Sequence, residues 1–175
     1  VSKTIRGLLD SDQVLGDFCE HLLEEFPLEL PRNPSWDIIK LYPKKERGAV
    51  YARLSDPEWW DSMPVVDGAK GGVEYLHMLG HDLHVITSPW PSCPDWAEVR
   101  KRWLKRHFGF EEDEVTIAKD KSEEPGDYII DDRPKNVVGW HLKHPDGTAY
   151  LYDTPYNQNV TWSPRFTWAR VRDIL

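Results

Sequence analysis

The chain has 175 residues, with 22 Lys and Arg against 30 Asp and Glu, for a net charge of −8. That length suits one compact domain with a real core and room for a small insertion, and the acidic balance excludes the basic footprint of a nucleic-acid binder. No run approaches the ~18 apolar residues of a membrane helix and the start lacks a signal-peptide core, so a soluble, cytoplasmic protein is expected.

In chain order, Thr4 to Leu9 reads as a first strand. It ends abruptly in Asp10-Ser11-Asp12, whose two carboxylates at i and i+2 point the same way if the backbone stays extended. Val14 to Phe26 reads as a helix with Leu15, Phe18, Leu22 and Leu23 on one side. Residues 27–43 carry four prolines and read as irregular and exposed. Helices are expected at Lys44–Leu54 and from Asp56, where Pro57 suits a first turn. Residues 18–66 then form a small helical cap inserted after the first strand, leaving 1–17 and 67–175 as the core. A helix from Ala69 to Leu79, closed by Gly80, leads to a second strand, His81–Thr87, which Ser88-Pro89 ends.

Asp95 begins an amphipathic helix to Phe108 with Trp96, Val99, Trp103 and Leu104 on its apolar face. Glu114–Ala118 and Asp127–Ile130 read as the third and fourth strands, followed by Lys119-Asp120-Lys121 and by Asp131-Asp132-Arg133-Pro134. A helix from Pro134 to His141, a strand from Thr148 to Tyr152 and a last helix from Phe166 to Leu175 complete the chain. Strands alternating with helices imply an α/β fold, a Rossmann-like parallel sheet covered by helices on both faces.

Residues able to do chemistry fall repeatedly just after an apolar strand: Asp10 and Asp12, Thr87 and Ser88, Lys121, and Asp131 and Asp132. In an open parallel sheet those strand ends share one edge, where ligands bind. Several carboxylates with one lysine and two hydroxyls form a hard oxygen site suited to Mg²⁺. Such a site supports attack of an aspartate on phosphorus, with a second aspartate moving the proton.

The segments DSDQVLGDF, VITSP, AKDK and GDYIIDDRP resemble, in the same order, those of the haloacid dehalogenase-like phosphatases, and more closely the 5'(3')-deoxyribonucleotidases. DPEWWDSMPVVDGA is similar to that branch's aromatic pair and following turn, and the likeness spans roughly residues 5–175. The resemblance implies a haloacid dehalogenase-like core and a Mg²⁺-dependent phosphomonoesterase acting on nucleoside monophosphates through an aspartyl-phosphate. Asp10 would be nucleophile and metal ligand. Asp12 would be the general acid and base, its backbone carbonyl on the metal, and Asp132 the third protein ligand. Thr87, Ser88 and Lys121 would bind phosphate, with Lys119 and Asp131 supporting; Phe18, Trp59 and Trp60 would line a base pocket. Gln13 departs from the family's glycine, Lys119 from its arginine, and Trp90 is bulkier than expected after the T-S-P turn.

Plainer readings stand beside these. His77, His81 and His84 read as surface histidines, and the basic run Arg100-Lys101-Arg102 with Lys105-Arg106 as a solvated helix face. Cys19 and Cys93 read as reduced thiols. Most of the nine tryptophans belong in the core; of Trp59 and Trp60, one is expected to pack and the other to face the pocket. Other functions open to this sequence are a phosphatase of another small metabolite and a catalytically silent nucleotide-binding protein. The expected partner is a small nucleotide, with neither nucleic acid nor membrane; a homodimer through exposed tryptophans is compatible with the composition, though no spacing specifies it.

Overall fold

The computed structural model describes residues 4–32 and 34–175; residues 1–3, which the expected core includes, lie outside them. Six parallel strands form one sheet: β1 (Arg6–Leu9), β2 (Asp82–Thr87), β3 (Val115–Ile117), β4 (Tyr128–Asp131), β5 (Thr148–Tyr152) and β6 (Arg165–Phe166). Their order is β3-β2-β1-β4-β5-β6. Successive strand residues face opposite sides, and both sides are apolar. Leu9, Val85 and Ile130 join the larger core, whereas Leu8, Ile86, Ile129 and Leu151 join a second. Helices α4 (Ala69–Met78) and α5 (Trp96–Phe108) cover the first side through Val73, Leu76, Trp103 and Leu104, and α6 (Pro134–Lys143) covers the second through Val137 and Trp140.

The chain steps from β1 outward to β2 and β3, then crosses back to lay β4 on the other flank of β1. This reversal is the switch point where the loops after neighbouring strands diverge and leave a crevice. Pairing continues one residue beyond β1, because Asp10 N–H donates to the Ile130 carbonyl at 2.9 Å. Asp10 therefore sits beside the end of β4.

Several boundaries differ from expectation. The helix expected from Val14 starts at Phe18 (α1, Phe18–Glu25), with Asp17 as its cap. Residues 11–16 instead form a turn in which Gln13 holds φ at 69°. That backbone suits glycine and costs another residue roughly 1–2 kcal/mol. Gln13 offsets part of this cost with its side chain, accepting from Cys19 N–H at 3.0 Å and donating to Asp17 at 3.3 Å. The proline-rich stretch is irregular but not wholly exposed: a 3₁₀ turn, Ile38–Leu41, buries Ile38 and Ile39, and Tyr42 is buried after it. The expected last helix divides into β6, a 3₁₀ turn at Trp168–Arg170 and a short α7 (Val171–Ile174). Phe166 is held by pairing with Tyr152, and Trp168 packs on α4 while its indole N–H donates to the Val14 carbonyl at 2.7 Å. Among the histidines, His81 is buried rather than exposed, with Nδ1 3.1 Å from the Tyr128 hydroxyl.

Among the described residues of 18–66 there are α1, α2 (Lys44–Arg53) and α3 (Pro57–Asp61) and no strand. Their two ends lie side by side: Asp17 N–H donates to Pro64 and Val66 N–H to Leu15, each at 2.8 Å.

Two neighbouring glycines of α4 provide a paired test. Gly71 is exposed with nothing within 4 Å of an added Cβ, so Gly71→Ala gains the ~0.5–1 kcal/mol of helix propensity. At Gly72 the same methyl would lie 2.2 Å from the Trp168 ring, and the hydrogen bond to Val14 resists its displacement. Overpacking of ~1–3 kcal/mol outweighs the propensity gain. Thermal denaturation should show Gly71→Ala raising Tm and Gly72→Ala lowering it.

Candidate active site

The site is built where β1 and β4 end. Asp10 is buried, and its Oδ1 accepts from Ser11 N–H at 2.7 Å and lies 2.6 Å from Lys121 Nζ. Lys121 reaches in from the loop after β3 and also donates to Asp131 Oδ2 at 2.7 Å. Asp131, the last residue of β4, accepts further bonds from Arg133 N–H at 2.8 Å and from the Asn136 amide at 3.1 and 3.0 Å. Asp132 accepts from the Tyr156 hydroxyl, and Asn157 Nδ2 donates to the Asp132 carbonyl at 2.9 Å.

Oxygens of Asp10, Asp131 and Asp132 lie within 4.8 Å of one another, all buried. Three carboxylates against one ammonium leave an excess of two negative charges, which a divalent cation would balance. An all-oxygen donor set suits Mg²⁺. The bonds that Asp131 already accepts leave Asp10 and Asp132 as the better ligands.

Crowded charge shapes the titration. Burial, then the neighbouring Asp131 charge, raises Asp10 well above the ordinary carboxylate range despite Lys121. The same two causes push Asp132 up to about 6, against the hydrogen bond from Tyr156 and the charge of Lys121. Burial opposes the charge on Lys121, but Asp10 and Asp131 outweigh it and raise its pKa, so it stays an ammonium. Burial also pushes Cys19 to about 12, which keeps that thiol protonated.

Above this cluster opens a cavity of about 360 Å³. Of the residues expected at the site, Asp10, Asp12, Phe18, Trp60, Ser88, Lys121 and Asp132 line it. Thr87 does not; it is fully buried at the end of β2, and its hydroxyl has no hydrogen-bond partner among the described residues. The Ser11 hydroxyl is likewise buried and unpartnered there. Orphaned buried donors beside the strand ends fit a site that receives phosphoryl oxygens, since an unmade buried hydrogen bond is costly.

Two expected residues are not brought in. Lys119 is exposed and off the cavity wall. Trp59 is fully buried behind the wall, 5.0 Å from the Trp60 ring and 5.6 Å from Phe18. Adjacent helical residues diverge, so Trp60 faces the cavity and Trp59 the core. Trp90, which also lines the cavity, extends the aromatic wall, 5.6 Å from Trp60.

Sequence reasoning missed three contributors. Asn136 and Tyr156 lie outside any motif, in the first turn of α6 and in the 3₁₀ turn after β5. Arg100, read as solvated, is fully buried with Nη2 2.7 Å from Asp12 Oδ1. A signal existed: Arg100 is four residues after Trp96 and three before Trp103, within the apolar stripe of α5.

Residues 4–175 match the family described as "5' nucleotidase, deoxy (Pyrimidine), cytosolic type C protein". A Bordetella bronchiseptica protein, named provisionally as a 5'(3')-deoxyribonucleotidase, is 30% identical over 177 residues, covering 96% of this chain and 94% of its own. The mitochondrial 5'(3')-deoxyribonucleotidase of Mus musculus is 26% identical, covering 93% of this chain and 79% of its own. A dehalogenase crystal structure superposes with a TM-score of 0.62 at 11% identity, covering 100% of this chain and 98% of that one. The chain belongs to this 5'-nucleotidase family, shares the fold of that dehalogenase, and is a phosphatase.

The raised carboxyls predict a linkage. A group titrating near 6 when folded and near 3.8 when unfolded binds more protons folded between those values, so its contribution to stability falls as pH rises through that window. Asp132→Asn removes this repulsion. Calorimetry of metal-free protein at pH 7.5 should show the variant melting several degrees above the wild type, with a smaller gap at pH 4. Mg²⁺ should raise the wild-type Tm at pH 7.5 and leave that of Asp132→Asn nearly unchanged.

Proposed function

We propose that the chain hydrolyses nucleoside monophosphates, deoxyribonucleotides foremost, through a phosphorylated Asp10. The observation that carries this reading is the juxtaposition of a buried carboxylate cluster around Lys121 with a cavity walled by Phe18, Trp60 and Trp90. A flat aromatic wall suits a nucleobase, and the named relatives are deoxyribonucleotidases. A cavity of about 360 Å³ suits one small ligand.

Asp10 and Asp132, with the Asp12 backbone carbonyl, would hold Mg²⁺, which supplies charge neutralisation between an anionic phosphate and an attacking carboxylate. In the first displacement a carboxylate oxygen of Asp10 attacks phosphorus, the ester P–O bond breaks, and Asp12 gives its proton to the departing alkoxide oxygen. In the second, Asp12 takes a proton from water as its oxygen attacks phosphorus, releasing phosphate and restoring Asp10. Lys121 balances charge on the phosphoryl oxygens, and the hydroxyls of Thr87 and Ser88 and nearby backbone N–H groups are the remaining donors. Asp131 and Asn136 keep Lys121 and the loop after β4 in place.

Residues 18–66 act as the cap in this reading: they contribute Phe18 and Trp60 to the wall, while the sheet edge contributes the chemistry. Closing the cap over a seated nucleotide excludes bulk water from Asp10. Two unpaired cysteines suit a reducing, cytoplasmic setting; no helix among the described residues is long and apolar enough to cross a membrane.

Phosphate release from 5'- and 3'-nucleoside monophosphates, with sugar phosphates for comparison, tests the substrate. Deoxynucleotides should be turned over fastest, EDTA should abolish turnover, and Asp10→Asn should lose at least about 10³-fold in kcat. Turnover of sugar phosphates alone would overturn the pocket assignment, and undiminished turnover by Asp10→Asn would overturn the mechanism.

A further inference from the structure

Arg100 lies fully buried in the middle of α5. A guanidinium taken out of water costs several kcal/mol (order of magnitude) unless paired and surrounded by compensating groups. Its Cζ lies over three indole rings, 5.3 Å from the centroid of Trp60, 5.6 Å from Trp96 and 5.2 Å from Trp103. Those faces attract the cation and fix its position. It also approaches the weakly accepting Met63 sulfur, at 3.8 and 3.9 Å, and its Nε has no partner among the described residues. The one strong bond it makes is to Asp12, Nη2 to Oδ1 at 2.7 Å.

An arginine serving the fold alone pairs with a carboxylate of the fold. Two neighbours on the same helix do so, Arg102 and Arg106 sharing Asp61 on α3. Asp12 differs because it lines the cavity, and its arginine is fully buried whereas Arg102 and Arg106 are exposed. A short acidic side chain on a turn is otherwise free to rotate. With Oδ1 held, the other oxygen, which accepts no hydrogen bond from the described residues, is the one left to meet a substrate.

We propose that Arg100 is a positioning residue of the reaction: wedged among Trp60, Trp96 and Trp103, it pins Oδ1 of Asp12 so that the second oxygen reaches the ester oxygen. The inference rests on Asp12 being the proton donor of the first displacement. That role matters for an alkoxide leaving group, which needs the proton, and little for nitrophenolate, which departs without one.

The test compares a deoxynucleotide with p-nitrophenyl phosphate in Arg100→Met, in Asp12→Asn and in the double variant. For the nucleotide, kcat of Arg100→Met should fall about 10²-fold, with KM within about 3-fold of the wild type. With enzyme in excess, single-turnover release of nitrophenolate should keep its wild-type rate within about 3-fold. The double variant should be no slower on the nucleotide than Asp12→Asn, since Arg100 acts through that carboxylate. Equal losses with both substrates, or losses that multiply in the double variant, would show a merely structural role and overturn the proposal. Arg100→Lys keeps the charge without the planar fork and serves if the Met variant does not fold: a nucleotide-specific loss supports the proposal, and wild-type kcat overturns it. Wild-type kcat in Asp12→Asn would remove the proton-donor role itself. Wild-type kcat in Arg100→Met beside a crippled Asp12→Asn would fail this inference alone.

Discussion

The ammonium of Lys121, held between Asp10 and Asp131 at 2.6 and 2.7 Å with nearly no solvent around it, is the contact on which the site depends. Three carboxylates cannot share a buried pocket unless cations offset their repulsion. One lysine offsets part of it; in the proposed reading a divalent metal would balance the remainder and let an anionic phosphate approach. The strain of the site and its chemistry therefore have one source. The fold supports it by topology: the reversal at β1 and β4 sets Asp10 beside Asp131 through the backbone bond to Ile130.

Except for Trp90, which follows β2, the aromatic wall of the proposed pocket and the charged cluster come from different parts of the chain. The sheet edge carries the carboxylates and Lys121, whereas Phe18 and Trp60 come from the segment between β1 and α4. That segment leaves and rejoins the core through two backbone hydrogen bonds side by side, and it packs on α5 through Trp60, Met63 and Asp61. Arg100 reaches across this division, from a core helix, beneath Trp60 of the inserted segment, to Asp12 of the first loop.

Much of this was legible from residues alone because strands buried on both faces write themselves as apolar runs, and the abrupt charge after each run marks the edge where ligands bind. That pattern picks out Asp10, Asp12, Lys121 and Asp132, which all line the cavity, and Asp95 and Gly109 bound α5. Contacts between distant segments were not legible. Phe166 belongs to a strand only because Tyr152 is there to pair with it, and α1 starts late only because Gln13 takes a left-handed turn. The charge of Arg100 points to solvent, but its place in the α5 stripe puts it in the core, where it is fully buried. Trp59 and Lys119 entered the expected site by resemblance, and the structure turns the first into the core and the second into solvent.

The central claim is that Asp10 takes the phosphoryl group before water does. The stereochemistry at phosphorus tests it most directly, using a deoxynucleotide whose phosphate is made chiral by isotopic labelling and is hydrolysed in labelled water. Two successive in-line displacements predict overall retention of configuration. Inversion would mean that water attacks the substrate in a single step, and would contradict the account.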